Sequence, residues 1–179
     1  MKTVDEIIDD IFETEGKKYH VSDQPTSAGG VSLRYAIGIG LDEDGDGDTD
    51  EEDLKLLTLD KVRDLYKRDF FYGPRINLLP VKLHPQLFDI SVNSGAPMAI
   101  TLLQQTLNRR FGCDLTEDGR TGKNTRSAAE YACNEFGWVR VNNDLVDVRK
   151  AYYNVLVARK SSRATWLSGW LKRAESFRV

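Results

Sequence analysis

Twelve residues, Asp42 to Asp53, carry nine of the chain's 28 acidic side chains. That density of like charge cannot enter a core strand or a buried helix, because an unpaired carboxylate costs several kcal/mol to desolvate. The segment must be a solvated loop, and its mutual repulsion asks for a counter-charge. Aspartates stand at every second position from 42 to 50, and Gly47 lies between two of them. Counted as a twelve-residue EF-hand-like loop, Asp42, Asp44, Asp46, Asp50 and Asp53 occupy positions one, three, five, nine and twelve. Gly47 falls at the sharp turn, and Asp48 offers a backbone carbonyl at position seven. Ca²⁺ collects about six to eight hard oxygens from a chain that curls around it. The expected ligand set is Asp42, Asp44, Asp46, Asp48, Asp50 and Asp53. Two positions depart from the pattern: Thr49 stands where an apolar residue is usual, and Asp53 is a shorter arm than Glu. The shorter arm implies fewer oxygens on the ion and weaker binding, or room for Mg²⁺. No second loop of this kind occurs, and the preceding Ala36–Leu41 stretch is interrupted by glycine. A paired calcium sensor is therefore disfavoured, and the expected role of Ca²⁺ is structural.

The remaining sequence sets the class. A chain of 179 residues with 40% apolar composition is long enough to bury a core and suits one domain spanning 1–179. A formal charge of −3 argues against a nucleic-acid protein held by phosphate contacts. Outside the loop the chain has more basic than acidic residues, so a neutralised loop would leave a molecule suited to an anionic polymer. Met1-Lys2-Thr3 runs into an acid-containing segment with no apolar h-region, so neither a signal peptide nor a membrane anchor is expected. Cys113 and Cys133 have no metal-ligand spacing and are expected to be reduced, small core residues. A monomer is expected.

Hydrophobic periodicity predicts a mainly helical fold. Val4, Ile7, Ile8, Ile11 and Phe12 share one helical face in a helix ending near Glu15-Gly16. Residues 18–40 mix Pro, Ser, Gly and short apolar runs and read as an irregular segment or a short β-hairpin. Thr58 is expected to cap a helix that buries Leu59, Val62, Leu65 and Tyr66 and runs to Phe71 before Gly73-Pro74. An apolar segment follows from Leu83 to Asn93. A helix opens at Pro97 with Ile100, Leu103, Leu107 and Phe111 on one face. Asp118-Gly119 predicts a turn, and residues 124–136 a helix stopped by Gly137. Asp144 is expected to cap a further helix, and Trp166, Leu167, Trp170 and Leu171 mark a last one with both tryptophans in the core.

Several of these pieces, in this order, resemble glycoside hydrolase family 108, the phage and bacterial N-acetylmuramidases with a peptidoglycan-binding-like C-terminal half. Glu15-Gly16 with Tyr19 is similar to that family's Glu-Gly-Gly-Tyr, and Gly29-Gly30-Val31-Ser32 to its Gly-Gly-x-Thr. Phe88-Asp89, Val92-Asn93-Ser94-Gly95 and Leu103-Gln104 follow. Asp118-Gly119-Arg120-Thr121-Gly122 with Thr125 resembles a wall-binding turn, and Gly169-Trp170-Leu171-Lys172-Arg173 the family's closing Gly-Trp-Leu-x-Arg. Lys17 in place of a glycine and Ser27 in place of an aspartate depart from the pattern, and the acidic loop 42–53 is an insertion relative to it.

The resemblance implies a lysozyme-like helical muramidase with a catalytic half at 1–95 and a peptidoglycan-binding-like helical half at 96–179. It implies an endolysin that hydrolyses the β-1,4 bond between N-acetylmuramic acid and N-acetylglucosamine. Glu15 would be the general acid, since burial against apolar walls and a helix C-terminus both hold a carboxyl protonated. Asp23 and Asp89 both remain open as the second carboxylate, whose separation from the first decides between retention and inversion. Tyr19, Ser32, Tyr35, Asp89 and Asn93 are the expected substrate-binding residues, the tyrosines by stacking on sugar faces. The partner is bacterial peptidoglycan, reached in the periplasm after synthesis in the host cytoplasm and holin-type release. The competing expectation is a non-catalytic wall-binding or scaffold protein of the same fold, which the changes at Lys17 and Ser27 favour. His20 and His84 stand apart from any Ser or Cys nucleophile motif, which disfavours a catalytic triad.

Overall fold

The computed structural model describes residues 2–14, 27–28 and 31–179. Backbone contacts divide the chain into two compact units, residues 1–68 and 69–179.

In the first unit, α1 (Val4–Thr14) buries Ile7, Ile8, Ile11 and Phe12, the face its periodicity predicts. Thr3 and Glu6 cap it reciprocally: the Glu6 amide donates to Thr3 Oγ1, and the Thr3 amide donates to Glu6 Oε2. Two residues each of β1 (Ser27–Ala28) and β2 (Val31–Ser32) pair antiparallel, with Ser27 opposite Ser32 and Ala28 opposite Val31. This is the short hairpin expected between 18 and 40. A helix follows that periodicity does not show. α2 (Leu33–Ile39) starts because the Ser32 hydroxyl accepts from the Tyr35 amide, and stops because Gly40 takes a left-handed conformation. α3 (Glu51–Leu56) begins inside the acidic loop. α4 (Leu59–Leu65) is capped by Thr58 as predicted, and Val62 and Leu65 are buried, whereas Leu59, expected on the same face, is 39% exposed. The helix expected to reach Phe71 changes character: residues Tyr66–Tyr72 form a π-helix. Within the first unit, Phe12 packs against Tyr66 at 5.6 Å between ring centroids.

The second unit contains two 3-10 turns (Ile76–Leu78 and Val81–Leu83), then α5 (His84–Ser94), α6 (Ala96–Phe111), α7 (Lys123–Phe136), α8 (Trp138–Arg159), a further 3-10 turn (Ser161–Arg163) and α9 (Ala164–Glu175). α5 packs chiefly on α6, while α8 takes α6, α7 and α9. The fully buried set includes Leu83, Leu87, Phe88, Ile90, Ile100, Leu103, Leu107, Val141 and Leu145. α5 thus belongs by packing with the helices after it.

Three sequence expectations are corrected here. Asp144 does not cap a helix, since α8 opens at Trp138 straight after Gly137, whose φ of 86° lets the chain turn from one helix into the next. Asp144 sits within that helix, 3.9 Å from Arg110 and from Arg140. Trp166 is 64% exposed rather than in the core, while Trp170 packs against Tyr153 at 5.4 Å. Cys113 and Cys133 are free but only half-buried; burial still pushes the Cys133 thiol up to about 11. No helix among the described residues is long and apolar enough to cross a membrane.

Candidate functional site

Helices bracket the acidic loop. α2 ends at Gly40, and α3 starts at Glu51, so the last three loop residues, Glu51, Glu52 and Asp53, form the first turn of the outgoing helix. Asp50 is its N-cap, and Asp53 returns a bond to the Asp50 amide, completing a capping box. Gly45 and Gly47 adopt φ of 81° and 98°, and Gly47 stands where the loop pattern places its sharp turn. A chain of aspartate turns follows: Asp42 accepts from the Gly45 amide at 2.7 Å, Asp44 from Asp46 at 3.1 Å, and Asp46 from Asp48 at 3.0 Å.

Asp53 plays a different part from its neighbours. It is 1% exposed, and its carboxylate accepts from the amides of Glu43 at 2.5 Å and Asp50 at 2.8 Å, with Asp44 at 3.4 Å. Those bonds, Asp50's foremost, hold its pKa below the ordinary aspartate value. Position twelve therefore ties both ends of the loop together. Two exposed members, Asp44 and Asp48, show the opposite tendency. The Asp48 carboxyl is pushed up, chiefly by Asp46 and then by burial, Asp50, Asp53 and Asp44. At Asp44 the bond from the Asp46 amide lowers the pKa, but burial and the charges of Asp46, Asp53 and Asp42 together outweigh it, and the value is raised. One oxygen each from Asp42, Asp44 and Asp46 lie within 4.8 Å of one another, as do oxygens from Asp48, Asp50 and Asp53. The donor chemistry, all carboxylate oxygen in two adjoining trios, fits a hard divalent cation.

The other expected site residues fall as follows. Glu15 and Tyr19 lie outside the described residues, as do Lys17, His20 and Asp23. Ser32 is the exposed N-cap of α2, and Tyr35 is half-buried in its first turn. In the second unit, Asn93 is exposed and donates from Nδ2 to the Asp89 carbonyl at 2.8 Å, closing the last turn of α5.

Asp89 does not have the surroundings of a sugar ligand. It is 2% exposed, and its carboxylate is held by Arg149 Nη2 at 2.5 Å and by Arg173 Nε at 2.9 Å and Nη2 at 2.8 Å. Arg149 is itself fully buried, donates from Nε to the Tyr153 hydroxyl at 2.8 Å, and lies over the rings of Tyr153 and Phe177. Arg173 of the closing Gly169–Arg173 motif thus serves to join α9 to α5 through Asp89. Nothing in the local sequence marked Arg149 as its partner. With both of its oxygens engaged by guanidiniums, Asp89 is an internal clamp.

A second polar cluster explains the Asp118–Thr125 turn. Gln104 on α6 donates from Nε2 to Asp118 Oδ1, the Arg120 carbonyl and Thr125 Oγ1, and its Oε1 accepts from the Gly119 amide at 2.9 Å. Gly119 has φ of 71°, and a Cβ there would lie 2.7 Å from the Pro97 carbonyl oxygen, so only glycine lets the turn sit against α6. The Gln104 bond and the Arg120 amide hold the Asp118 carboxyl below its ordinary value.

With this geometry in hand, comparison with known proteins gives a consistent class. Residues 8–95 match the family described as Glycosyl hydrolase 108, and residues 98–175 match the family described as Predicted Peptidoglycan domain. The chain is therefore similar to a glycoside hydrolase over its first half and to a peptidoglycan domain over its second. Among solved structures it is similar to one described as "Structure of Brucella abortus SagA", at 21% identity and a TM-score of 0.74, over 98% of this chain and 91% of that one. That likeness is one of fold, and it agrees with the mainly helical architecture. No curated protein matches the chain.

Proposed function

We propose that the chain is an endolysin-type N-acetylmuramidase that hydrolyses the β-1,4 bond between N-acetylmuramic acid and N-acetylglucosamine, with Glu15 as general acid. The observation that carries this reading is the pair of adjoining family matches, a glycosyl hydrolase 108 segment followed by a peptidoglycan domain. In the reaction Glu15 gives its proton to the glycosidic oxygen as the bond to the muramic-acid C1 breaks; a water then adds its oxygen to C1 as the new hemiacetal hydroxyl, and the proton it gives up restores the Glu15 carboxyl, directly or through solvent. The acid must stay protonated near neutral pH, which the apolar end of α1, with Ile11 and Phe12 buried, is suited to impose on the residue just beyond it. Tyr19, Ser32 and Tyr35 are proposed to contact the glycan, and the enzyme to act on the wall in the periplasm after holin-type release.

The same proposal includes a structural Ca²⁺ in the 42–53 loop, held by Asp42, Asp44, Asp46, the Asp48 carbonyl, Asp50 and Asp53. Its support is the donor spacing, the helix on either side, and the like-charge crowding at Asp44 and Asp48 that a divalent cation would relieve. Glu15→Gln and Glu15→Ala are expected to keep the wild-type melting temperature and to release no reducing muramic-acid ends from purified sacculi, as read by mass analysis of the soluble products. Full activity in either variant overturns the role of Glu15. A wild-type chain that binds sacculi yet releases nothing identifies a wall-binding protein instead.

A further inference from the structure

The second unit contains a cleft of about 530 Å³ that neither the acidic loop nor the proposed hydrolytic residues use. Two helices open onto it. Ala96 and Pro97, from the first turn of α6, and Gly122, the N-cap of α7, all line it, and neither helix has a side-chain cap. An uncapped helix start presents free amides, here without one at Pro97, which has no N–H, and the positive end of the helix dipole. Arg75 and Arg120 line the same cleft, both exposed, and neither guanidinium is hydrogen-bonded to a carboxylate among the described residues. Arg120 does lie in the field of Asp118. Arg75 has φ of 60°, the one non-glycine residue in the left-handed region among those described, a strained conformation at the cleft's edge.

Thr121 supplies an independent pointer. It is 7% exposed, it lines the cleft, and its hydroxyl has no hydrogen-bond partner. A buried hydroxyl without a partner is disfavoured, and a ligand oxygen would satisfy it. The one carboxylate in the lining, Asp69, already has an interaction of its own. The balance of two guanidiniums and two helix starts is cationic, and Ala96, Pro97 and Pro74 give it apolar walls.

From this arrangement we infer that the cleft binds the carboxylates of a peptidoglycan stem peptide, anchoring the chain on the wall; the inference rests on reading the chain as a wall hydrolase. The glycan is uncharged where its lactyl groups are amide-linked to peptide, so the negative groups of such a polymer lie on the stem peptides. The apolar walls suit their alanine methyls, and the paired guanidiniums suit carboxylates.

Titration calorimetry of the full chain with a soluble stem tetrapeptide tests this, alongside the same peptide with its carboxylates amidated and inorganic phosphate. The free peptide is expected to bind with an affinity that falls as salt rises. Amidation, Arg75→Gln and Arg120→Gln are each expected to weaken binding by about tenfold or more, with the melting temperature of both variants unchanged. Equal binding of the amidated peptide, wild-type binding by the double variant, or phosphate binding as tight as the peptide overturns the proposal. Parallel digestion of peptide-free glycan strands separates the two readings. Hydrolysis without peptide binding rejects the cleft assignment alone, whereas peptide binding without hydrolysis rejects the muramidase reading alone.

Discussion

At the scale of single residues, two side chains carry consequences larger than their size. Arg149 is fully buried and its compensating charge is Asp89, itself 2% exposed, with Arg173 completing the trio. Removing one partner leaves an uncompensated buried charge, so Asp89→Ala is expected to cost about 3–5 kcal/mol in urea unfolding. Replacing both, as Asp89→Leu with Arg149→Met, is expected to cost less than the sum of the single changes, which a double-mutant cycle measures. His84 is the second case. Burial pulls its pKa below 6.5 and outweighs the bond its Nε2–H donates to the Leu79 carbonyl at 2.8 Å. A histidine with a lowered folded pKa binds fewer protons folded than unfolded. Its contribution is therefore complete above the unfolded value of about 6.5 and is lost as pH falls below it. The melting temperature of the wild type should drop between pH 7 and pH 5, and His84→Gln should flatten that slope. An unchanged slope in the variant would assign the pH dependence to other groups.

At the scale of elements, the loop from Asp42 to Asp53 separates two kinds of aspartate. Asp42, Asp44 and Asp46 are exposed and crowded by like charge, whereas Asp53 is buried and bonded to backbone amides at both ends of the loop. If Ca²⁺ binds here, adding it to chelated protein should raise the melting temperature, and Asp42→Ala should remove most of that rise while changing the chelated protein little. Asp53→Ala should lower the melting temperature even in chelator, because it breaks amide bonds that need no ion. Identical melting with and without Ca²⁺ in the wild type would remove the ion from the proposal and leave Asp53 as a purely local clasp. The Asp118–Gly122 turn makes a similar point about a different motif. Its aspartate and glycine are required by the fit against Gln104 and Pro97, and this leaves Arg120 and Thr121 on the cleft.

At the scale of the whole molecule, the two compact units place the proposed ion and the proposed peptide cleft in separate bodies. The loop lies within residues 1–68 and the cleft within 69–179. Ca²⁺-dependent protection in amide hydrogen exchange should therefore be confined to the first unit, about Leu33 to Leu65, with the core of α5, α6 and α8 unaffected. Protection spreading into α6 and α8 would show the ion acting beyond the unit that holds it. The packing division at 68/69 differs from the family boundary between 95 and 98, because α5 spends its buried face on α6.

The sequence by itself determined which segments are helical wherever an apolar stripe had to be buried. α1, α4 and α6 follow from Ile8, Val62 and Leu103 and their helical neighbours, because periodic burial is a local code. It also showed the alternate aspartates from 42 to 50, since their spacing is written in consecutive residues. Tertiary structure alone decided the rest. α2, seven residues long with Gly38 among them, is too short to show a stripe and forms on the strength of one serine cap. Tyr66–Tyr72 turns to a π-helix, α8 runs through Asp144, and Trp166 stays outside. Asp89 became a clamp rather than a ligand because Arg149 lies 60 residues away in the chain. Arg75 and Arg120 came to share a cleft only once α6 and the Gly119 turn were packed together. Local propensity is read one turn at a time, while charge pairing and cleft formation depend on which distant residues the core brings within a few ångströms.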